Sequence, residues 1–219
     1  MSSNKEFTFE ELAQHQTDVR AIQNIAAKYQ YWHHADMHDE VFDLYAKKLP
    51  DIKAQISNWG IYVGQEGVAR LMLGVQKWLE RGDRTGRTHT NTLVNPIIEV
   101  AGDGKTAKGL WCCTGANTSP NRAEGTFQAQ WSYSRFAADF VREDGEWKLW
   151  HTLVTGVFQT KFEEAWVFAP DHVKFDFPEE LKPNIEGGYH WQYNTSICTK
   201  AIPAPPEPYW TFAETFSYL

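Results

Sequence analysis

The amino-acid sequence predicts an α+β fold in which N-terminal helices pack on a curved antiparallel sheet. Three features support this prediction: an apolar stripe with helical spacing near the start, four long strand-like runs in the second half, and turn-forming residues between those runs. A length of 219 residues fits one hydrophobic core with an appendage. We therefore expect one domain over residues 1–169 and a C-terminal extension over residues 170–219.

The first quarter of the chain carries two helix signals. Thr8 and Glu11 form a capping-box pair ahead of apolar residues that recur at helical spacing, which predicts a first helix over residues 9–35. Asp39 is the expected N-cap of a short second helix over residues 39–48. The first helix carries an apolar face for a sheet to cover.

The middle of the chain alternates between extended and helical patterns. Residues 53–63 have the pattern of a strand pair bent at Gly60, and residues 65–81 have that of a third helix ended by Gly82. Four strand-like runs follow, and the turn sequences between them predict that consecutive runs pair as hairpins. The expected strands cover residues 88–100, 106–118, 125–141 and 147–158.

The expected extension combines repeated prolines with many aromatic side chains. Prolines interrupt regular elements, whereas aromatic residues are scarce in disordered tails. We therefore expect this segment to lie stretched over the domain or over a neighbouring subunit.

The charge and motif content of the chain argue against several classes of partner. Its formal net charge is −7 and its Lys and Arg residues are scattered, so the basic surface that nucleic acid requires is missing. No apolar run suffices for a membrane span and the N-terminal residues lack a signal-peptide pattern, which predicts a cytoplasmic protein. The three cysteines have neither a CxxC nor a zinc-binding spacing, so we expect no disulfide framework. The chain has no nucleotide-binding glycine motif, so we expect no cofactor.

Aromatic residues make up 15% of the chain, which is unusually high. Such side chains either fill a thick core or line a cavity for an apolar, often ring-containing ligand. Composition alone leaves both uses open.

Four segments of the chain resemble SnoaL-like proteins of the nuclear-transport-factor-2-like superfamily. They are residues 35–39, residues 93–103 together with 106–109, residues 139–151, and residues 206–209. The resemblance implies the cone-shaped fold of that superfamily and a homo-oligomer, either a dimer or a trimer. It also implies chemistry without a cofactor, in which a positioned acid or base moves a proton inside an apolar cavity.

The resemblance does not by itself fix the reaction, because the superfamily includes dehydratases, polyketide cyclases, ketosteroid isomerase, diarylpropane lyases that release formaldehyde, and pure binding modules. The favoured hypothesis is a lyase that eliminates water or a small carbonyl fragment from a bulky aromatic or polycyclic molecule. The alternatives are an isomerase or cyclase of the same fold, or a non-catalytic module that binds a small molecule.

Three residues are candidate catalytic groups. By resemblance, Asp36 matches the acidic residue that orients a histidine or acts as a base, although a capping or surface role also fits. His89 begins the first long strand, where related dehydratases carry a catalytic histidine, but a slip of one residue brings Thr88 or Thr90 inward instead. His151 shares strand parity with apolar residues of its strand, which predicts an inward side chain with either a catalytic or a structural role.

A second set of residues is expected to bind substrate, although each also fits packing or the surface. Asn117 falls at the far end of the second long strand, where related dehydratases place a polar group against the substrate. Three tyrosines and one arginine are potential donors to an oxyanion, and four tryptophans are potential stacking walls. These residues are Tyr29, Tyr62, Tyr133 and Arg135, and Trp32, Trp59, Trp111 and Trp131.

The end of the first helix also carries residue types that bind metals, namely His33, His34, Asp36 and His38. On a helix end these side chains point in different directions, and the superfamily's enzymes of this kind need no metal. We therefore predict that the protein has no metal site.

Overall fold

The computed structural model describes residues 7–121, 124–168, 175–188 and 190–219, so the expected boundary between residues 169 and 170 lies outside the described residues. None of the helices in these ranges combines the length and the apolar composition that a membrane span requires.

The helices are α1 (Phe9–His34), α2 (His38–Asp43), α3 (Gly64–Ala69) and α4 (Gln76–Leu79), with a π-helical stretch (Arg70–Val75) joining α3 to α4. The strands are β1 (Lys53–Ile56), β2 (Ile61–Val63), β3 (Thr88–Val100), β4 (Thr106–Asn121), β5 (Thr126–Glu143) and β6 (Glu146–Lys161), and short 3-10 helices cover Trp166–Phe168, Glu179–Leu181 and Phe212–Glu214.

Helix α1 begins and ends close to the expected positions. At its start the Thr8 hydroxyl accepts a hydrogen bond from Glu11 N (3.2 Å), and the Glu11 carboxylate accepts one from Thr8 N (2.9 Å), which confirms the capping box. Beyond its end, Asp36 has a φ of 59°, in the left-handed region that a right-handed helix cannot pass through. The helix buries a face that includes Ile22 and Tyr29.

The second helix differs from its expected form. Helix α2 begins one residue before the expected Asp39 cap and ends at Asp43. The chain then leaves the helix because its backbone pairs with β6: Leu149 N donates to Leu44 O, and Ala46 N donates to Leu149 O, both at 2.9 Å. Tertiary hydrogen bonds thus override a local preference for a longer helix.

The six strands form one sheet with the order β2-β1-β6-β5-β4-β3. The four long strands pair antiparallel in sequence, and the turn between β5 and β6 places Asp144 and Gly145 at positive φ (51° and 83°), as tight hairpin turns require. Strand β1 pairs antiparallel with β2 but parallel with β6, so the sheet is mixed. The parallel pair of β1 and β6 joins segments that are far apart in the sequence, so no turn sequence predicts it.

A bulge in β6 changes which side chains face the helices. Asp139 pairs with His151 and Phe140 pairs with Leu149, so Trp150 is an extra residue on β6. Leu149 therefore belongs to the core beneath the helices, whereas His151 lies with Asp139 on the outer face of the sheet. The prediction that His151 points toward the helices is wrong for this reason.

The main core lies between the helices and the inner face of the sheet. A buried carboxylate ties α1 to the hairpin of β5 and β6, because Asp18 Oδ1 accepts hydrogen bonds from Trp147 Nε1 (3.0 Å) and Arg142 Nη2 (2.5 Å). These donors offset the cost of burying the charge of Asp18. The fully buried large side chains of this core are Ile22, Tyr29, Tyr45, Ile52, Tyr62, Leu71, Met72, Phe136, Phe140 and Leu149.

The described C-terminal residues lie against the rest of the chain. Ile185 pairs with Ile61 at the edge of β2, and Tyr193 N donates to Val157 O (2.8 Å) on the edge of β6. Farther along, the Tyr209 carbonyl accepts a backbone hydrogen bond from the turn between β3 and β4 (3.0 Å). The segment thus passes around the edge of the sheet to its outer face.

A buried ionic cluster holds the end of this segment on the outer face. Lys108 Nζ donates to Asp139 Oδ1 (2.5 Å) and to Phe216 O (2.6 Å), while Asp139 Oδ2 lies 2.8 Å from His151 Nδ1 and accepts from Ser217 Oγ (3.1 Å). Burial alone raises the pKa of Asp139, but His151 and Lys108 outweigh it and lower that pKa. Asp139 therefore stays ionised in the folded protein.

Asp139→Asn is expected to lower the free energy of unfolding by about 3 kcal/mol, because it leaves the buried Lys108 ammonium without a carboxylate. Urea denaturation measures this. Glu146→Gln is the matched control, since the Glu146 side chain is exposed and its pair with Lys148 contributes about 0.5 kcal/mol or less. Equal losses in the two variants would show that the buried cluster does not stabilise the fold.

Candidate active site

A cavity of about 560 Å³ lies between α1 and the inner face of the long strands. Its volume is within the range of sites for small molecules. Five of the residues that the sequence predicts for the site line it: Tyr29, Trp59, His89, Asn117 and Tyr133. Residues outside that prediction that also line it include Gln30, His33, Gln76, Arg87, Asn91, Cys113, Gln130, Ser132, Ser134, Phe136, Phe158 and Phe175.

Strand alternation explains why polar side chains reach this cavity. On β3, His89 and Asn91 are two residues apart and both face inward, and Asn117 faces them from β4. A side chain on Gly115 would collide with Ser132 Oγ and the Asn91 amide, so glycine is required where these strands carry their polar groups. The result is a polar wall opposite the aromatic residues.

His89 is held at one ring nitrogen and free at the other. Its Nε2 lies 2.8 Å from the Asn91 side-chain amide, whereas its Nδ1 is buried and has no hydrogen-bond partner among the described residues. Asn91 Nδ2 faces His89 and Asn91 Oδ1 accepts from Ser132 Oγ (3.3 Å), so in this orientation Nε2 accepts and Nδ1 carries the ring proton; rotating the Asn91 amide by 180° presents its oxygen to Nε2–H and leaves Nδ1 as the acceptor. Nδ1 is therefore the atom through which His89 can exchange a proton with a ligand.

The surroundings of His89 keep its ring neutral. Burial lowers the pKa of His89 to about 4, and the charges of His34 and Arg87 act in the same direction. Glu80 opposes them and favours the protonated ring. At neutral pH, His89 consequently carries a lone pair and no charge.

His33 is a site residue that sequence reasoning considered only as part of a rejected metal cluster. Its ring lies 5.2 Å from that of His89 and 6.0 Å from that of His38, and its Nδ1 is buried without a hydrogen-bond partner in the described ranges. Burial and the neighbouring histidines lower its pKa well below the ordinary value. Its spacing of four from Tyr29 is the signal that places it on the inward face of α1.

Asp36 lies outside the main cavity. It lines a second cavity of about 220 Å³, together with His89, and forms ion pairs with Arg84 and with Arg87, whose Nη1 is 3.9 Å from Asp36 Oδ1. The acid–histidine pairing that the family resemblance implies is not formed between Asp36 and His89, because the Asp36 carboxylate pairs with the two arginines instead. Both residues nevertheless border the same small space.

A cluster of potential metal ligands lies next to this cavity. The ligand atoms of Asp36, His38 and Glu80 are within 4.8 Å of one another. His38 Nε2 is 2.6 Å from Glu80 Oε2, and Arg84 lies within 3.6 Å of the same carboxylate. Both carboxylates thus have cationic or hydrogen-bonding partners, and the predicted absence of a metal site stays a prediction.

Three of the predicted substrate-binding residues pack into the protein rather than lining the cavity. The Tyr62 hydroxyl donates to Leu181 O (2.9 Å), which commits it to holding the C-terminal segment. Trp111 is buried against Phe136, with ring centroids 5.6 Å apart. Trp32 packs against the edge of the main core.

The remaining predicted residues lie on or toward the outer face of the sheet. Trp131 is 43% exposed and stacks on Phe162. Arg135 donates to the backbone carbonyls of Lys200 and Ile202, so it holds the extension. His151 belongs to the outer ionic cluster. None of these three lines the cavity.

The family model described as a SnoaL-like domain matches residues 14–152 of the chain. Among curated proteins, no sequence relative matches it.

Solved structures with a similar fold are numerous and distant in sequence. A protein provisionally assigned as a scytalone dehydratase from Novosphingobium aromaticivorans has a TM-score of 0.53 and 14% identity, over 69% of this chain and 91% of that one. The hexachlorocyclohexane dehydrochlorinase LinA-type3 from Novosphingobium barchaimii LL02 has a TM-score of 0.51 and 15% identity, over 74% and 97% of the two chains. At such identities the similarity shows the fold alone.

Stability is expected to fall as the pH drops from about 6.5 to about 4, because in this interval the unfolded chain protonates His89 while the folded protein does not. His89→Gln removes this contribution, so the loss of unfolding free energy over that interval shrinks by up to about 3 kcal/mol. Urea denaturation at several pH values measures it. His15→Gln, in the N-terminal half of α1 and outside both cavities, is the control, and parallel pH curves for the two variants would contradict the buried neutral ring.

Proposed function

This chain belongs to the SnoaL-like family, and we propose that it is a cofactor-independent lyase acting on a bulky aromatic or polycyclic small molecule. The reaction is an acid–base elimination that releases water or a small carbonyl compound such as formaldehyde. A lignin-derived diarylpropane is one candidate substrate.

The observation that carries this proposal is His89 at the wall of the main cavity. Its buried, unpartnered Nδ1 and its neutral state at pH 7 are what a general base needs before substrate binds. The imidazolium that forms on proton transfer is favoured by the charge of Glu80, and Asp36 borders the small cavity beside it. The positive charge on the His89 ring therefore develops close to two carboxylates.

The rest of the cavity fits a substrate with aromatic rings and hydroxyl groups. Tyr29, Trp59 and Phe175 supply flat apolar surface, while Asn117 and Ser132 supply hydrogen-bonding groups on the polar wall. Remote contacts of this kind hold the reacting carbon near the base.

Two of the solved structures with this fold carry the names of enzymes that remove a small molecule from their substrate, a dehydratase and a dehydrochlorinase. Because identity is low, the reaction proposed here depends on the residues of this cavity.

Two alternatives are separated by the experiments below. An isomerase or cyclase uses the same base but releases no fragment. A non-catalytic binding module is favoured by one observation, the low pKa of His89, since a base with a pKa of about 4 is a weak one at neutral pH. A homo-oligomer and a cytoplasmic location also stay predictions, the first of which light scattering measures.

His89→Gln is expected to lower kcat at least 100-fold, because general bases typically contribute at least that factor. Asp36→Asn is expected to lower kcat about tenfold, because it removes one charge beside the imidazolium. Formaldehyde release from diarylpropanes and dehydration of hydroxysteroids are the two assays.

His15→Gln and Asp39→Asn are the matched controls, since His15 lies outside both cavities and Asp39 forms an exposed pair with Lys77. Wild-type protein that binds these compounds without releasing a fragment would exclude the lyase. Full activity in His89→Gln would exclude His89 as the base.

A further inference from the structure

We propose that the small cavity on the far side of His89 receives the fragment that the reaction releases, and that it selects a neutral hydroxyl-bearing molecule over an anion. Suitable ligands are water, a one- or two-carbon alcohol, or the hydrate of a small aldehyde. This inference rests on the proposed lyase function for its role, but its ligand class is tested without turnover.

The position of the cavity makes it a departure site. His89 and Arg87 line both the main cavity and the small one, so they form a shared wall between the two. At about 220 Å³ the small cavity has room for several water molecules, each of which occupies about 30 Å³ in the liquid. A small fragment that leaves a substrate beside His89 therefore has a polar space next to it.

Two unsatisfied atoms in the cavity wall define the ligand. Asp36 Oδ1 is an acceptor and Arg87 Nη1 is a donor, and both are buried without a hydrogen-bond partner among the described residues. They are 3.9 Å apart, too far for a direct hydrogen bond but close enough for one oxygen atom to reach both. A hydroxyl group donates to the carboxylate and accepts from the guanidinium, so it satisfies both atoms at once.

The charges around the cavity disfavour ions. The guanidinium groups of Arg84 and Arg87 face the carboxylates of Asp36 and Glu80, so these formal charges balance. An anion against Arg87 Nη1 meets the Asp36 oxygen at close range, and a cation against Asp36 meets the two arginines. A neutral molecule with both a donor and an acceptor avoids these repulsions.

The chemistry balances with such a ligand. In a dehydration, His89 takes a proton from carbon, the C–O bond breaks as the double bond forms, and the departing oxygen takes the proton from the imidazolium and leaves as water. In loss of formaldehyde, His89 takes the hydroxyl proton, the C–C bond breaks, and the resulting carbanion takes the proton back. Formaldehyde then adds water to give a diol with two hydroxyl groups.

Crystals of the full chain soaked in ethylene glycol, and separately in sodium bromide, test the ligand class. We expect a glycol oxygen within about 3.2 Å of both Asp36 Oδ1 and Arg87 Nη1, and no anomalous bromide peak in the cavity. Arg87→Met should lose the glycol and Lys77→Met, which removes an exposed cation outside the cavity, should keep it. Bromide bound at Arg87, or a cavity that holds no glycol, would overturn the proposal.

A matched pair of substrates that differ only in a hydroxyl or a chloride leaving group tests the role. We expect Arg87→Met to lower kcat/KM at least about tenfold for the hydroxyl compound and less for the chloride, because one hydrogen bond to the departing oxygen is worth about that factor. Equal losses for the two compounds would overturn the leaving-group role. Glycol bound as expected, with neither substrate reacting, would confirm the ligand class and instead exclude the lyase function.

Discussion

The extra residue in β6 allows one strand to contribute to two separate cores. Before the bulge at Trp150, β6 directs Leu149 toward the helices, and after it His151 lies on the outer face with Asp139. Without that insertion the same parity would place an imidazole among the apolar side chains beneath α1, on the opposite face of the sheet from Asp139. The outer cluster, and through it the position of the C-terminal segment, depends on this local change in pairing.

On the inner face, burial and ion pairing determine which groups around the cavity carry charge. His33 and His89 are neutral because burial disfavours their protonated forms. The carboxylates nearby, Asp36 and Glu80, are each matched by an arginine. When a proton moves to His89 the site gains positive charge, and the fixed carboxylate of Glu80 favours that charge.

Local signals were sufficient for most of the fold. Period-two alternation and hairpin turns placed β3 at its observed bounds, and the capping box at Thr8 placed the start of α1. Interactions between distant segments could not be predicted from the local sequence. They are the parallel pairing of β1, the early end of α2 at Asp43, and the ion pairs that Asp36 forms with two arginines. His89 and Asn117 line the cavity because β3 and β4 pair without irregularity before Val94, whereas one bulge in β6 places His151 on the other face. The functional roles of these residues stay predictions.

The arrangement of the C-terminal segment has a consequence for synthesis of the protein. Its anchors stand on three different strands, with Lys108 on β4, Asp139 on β5 and His151 on β6, and the groups that bind them come from residues 216–218. During synthesis the four long strands are made before residues 216–218. Until those residues reach the sheet, the cluster of Lys108, Asp139 and His151 lacks the groups that cover it, so this part of the outer surface closes after the meander has formed.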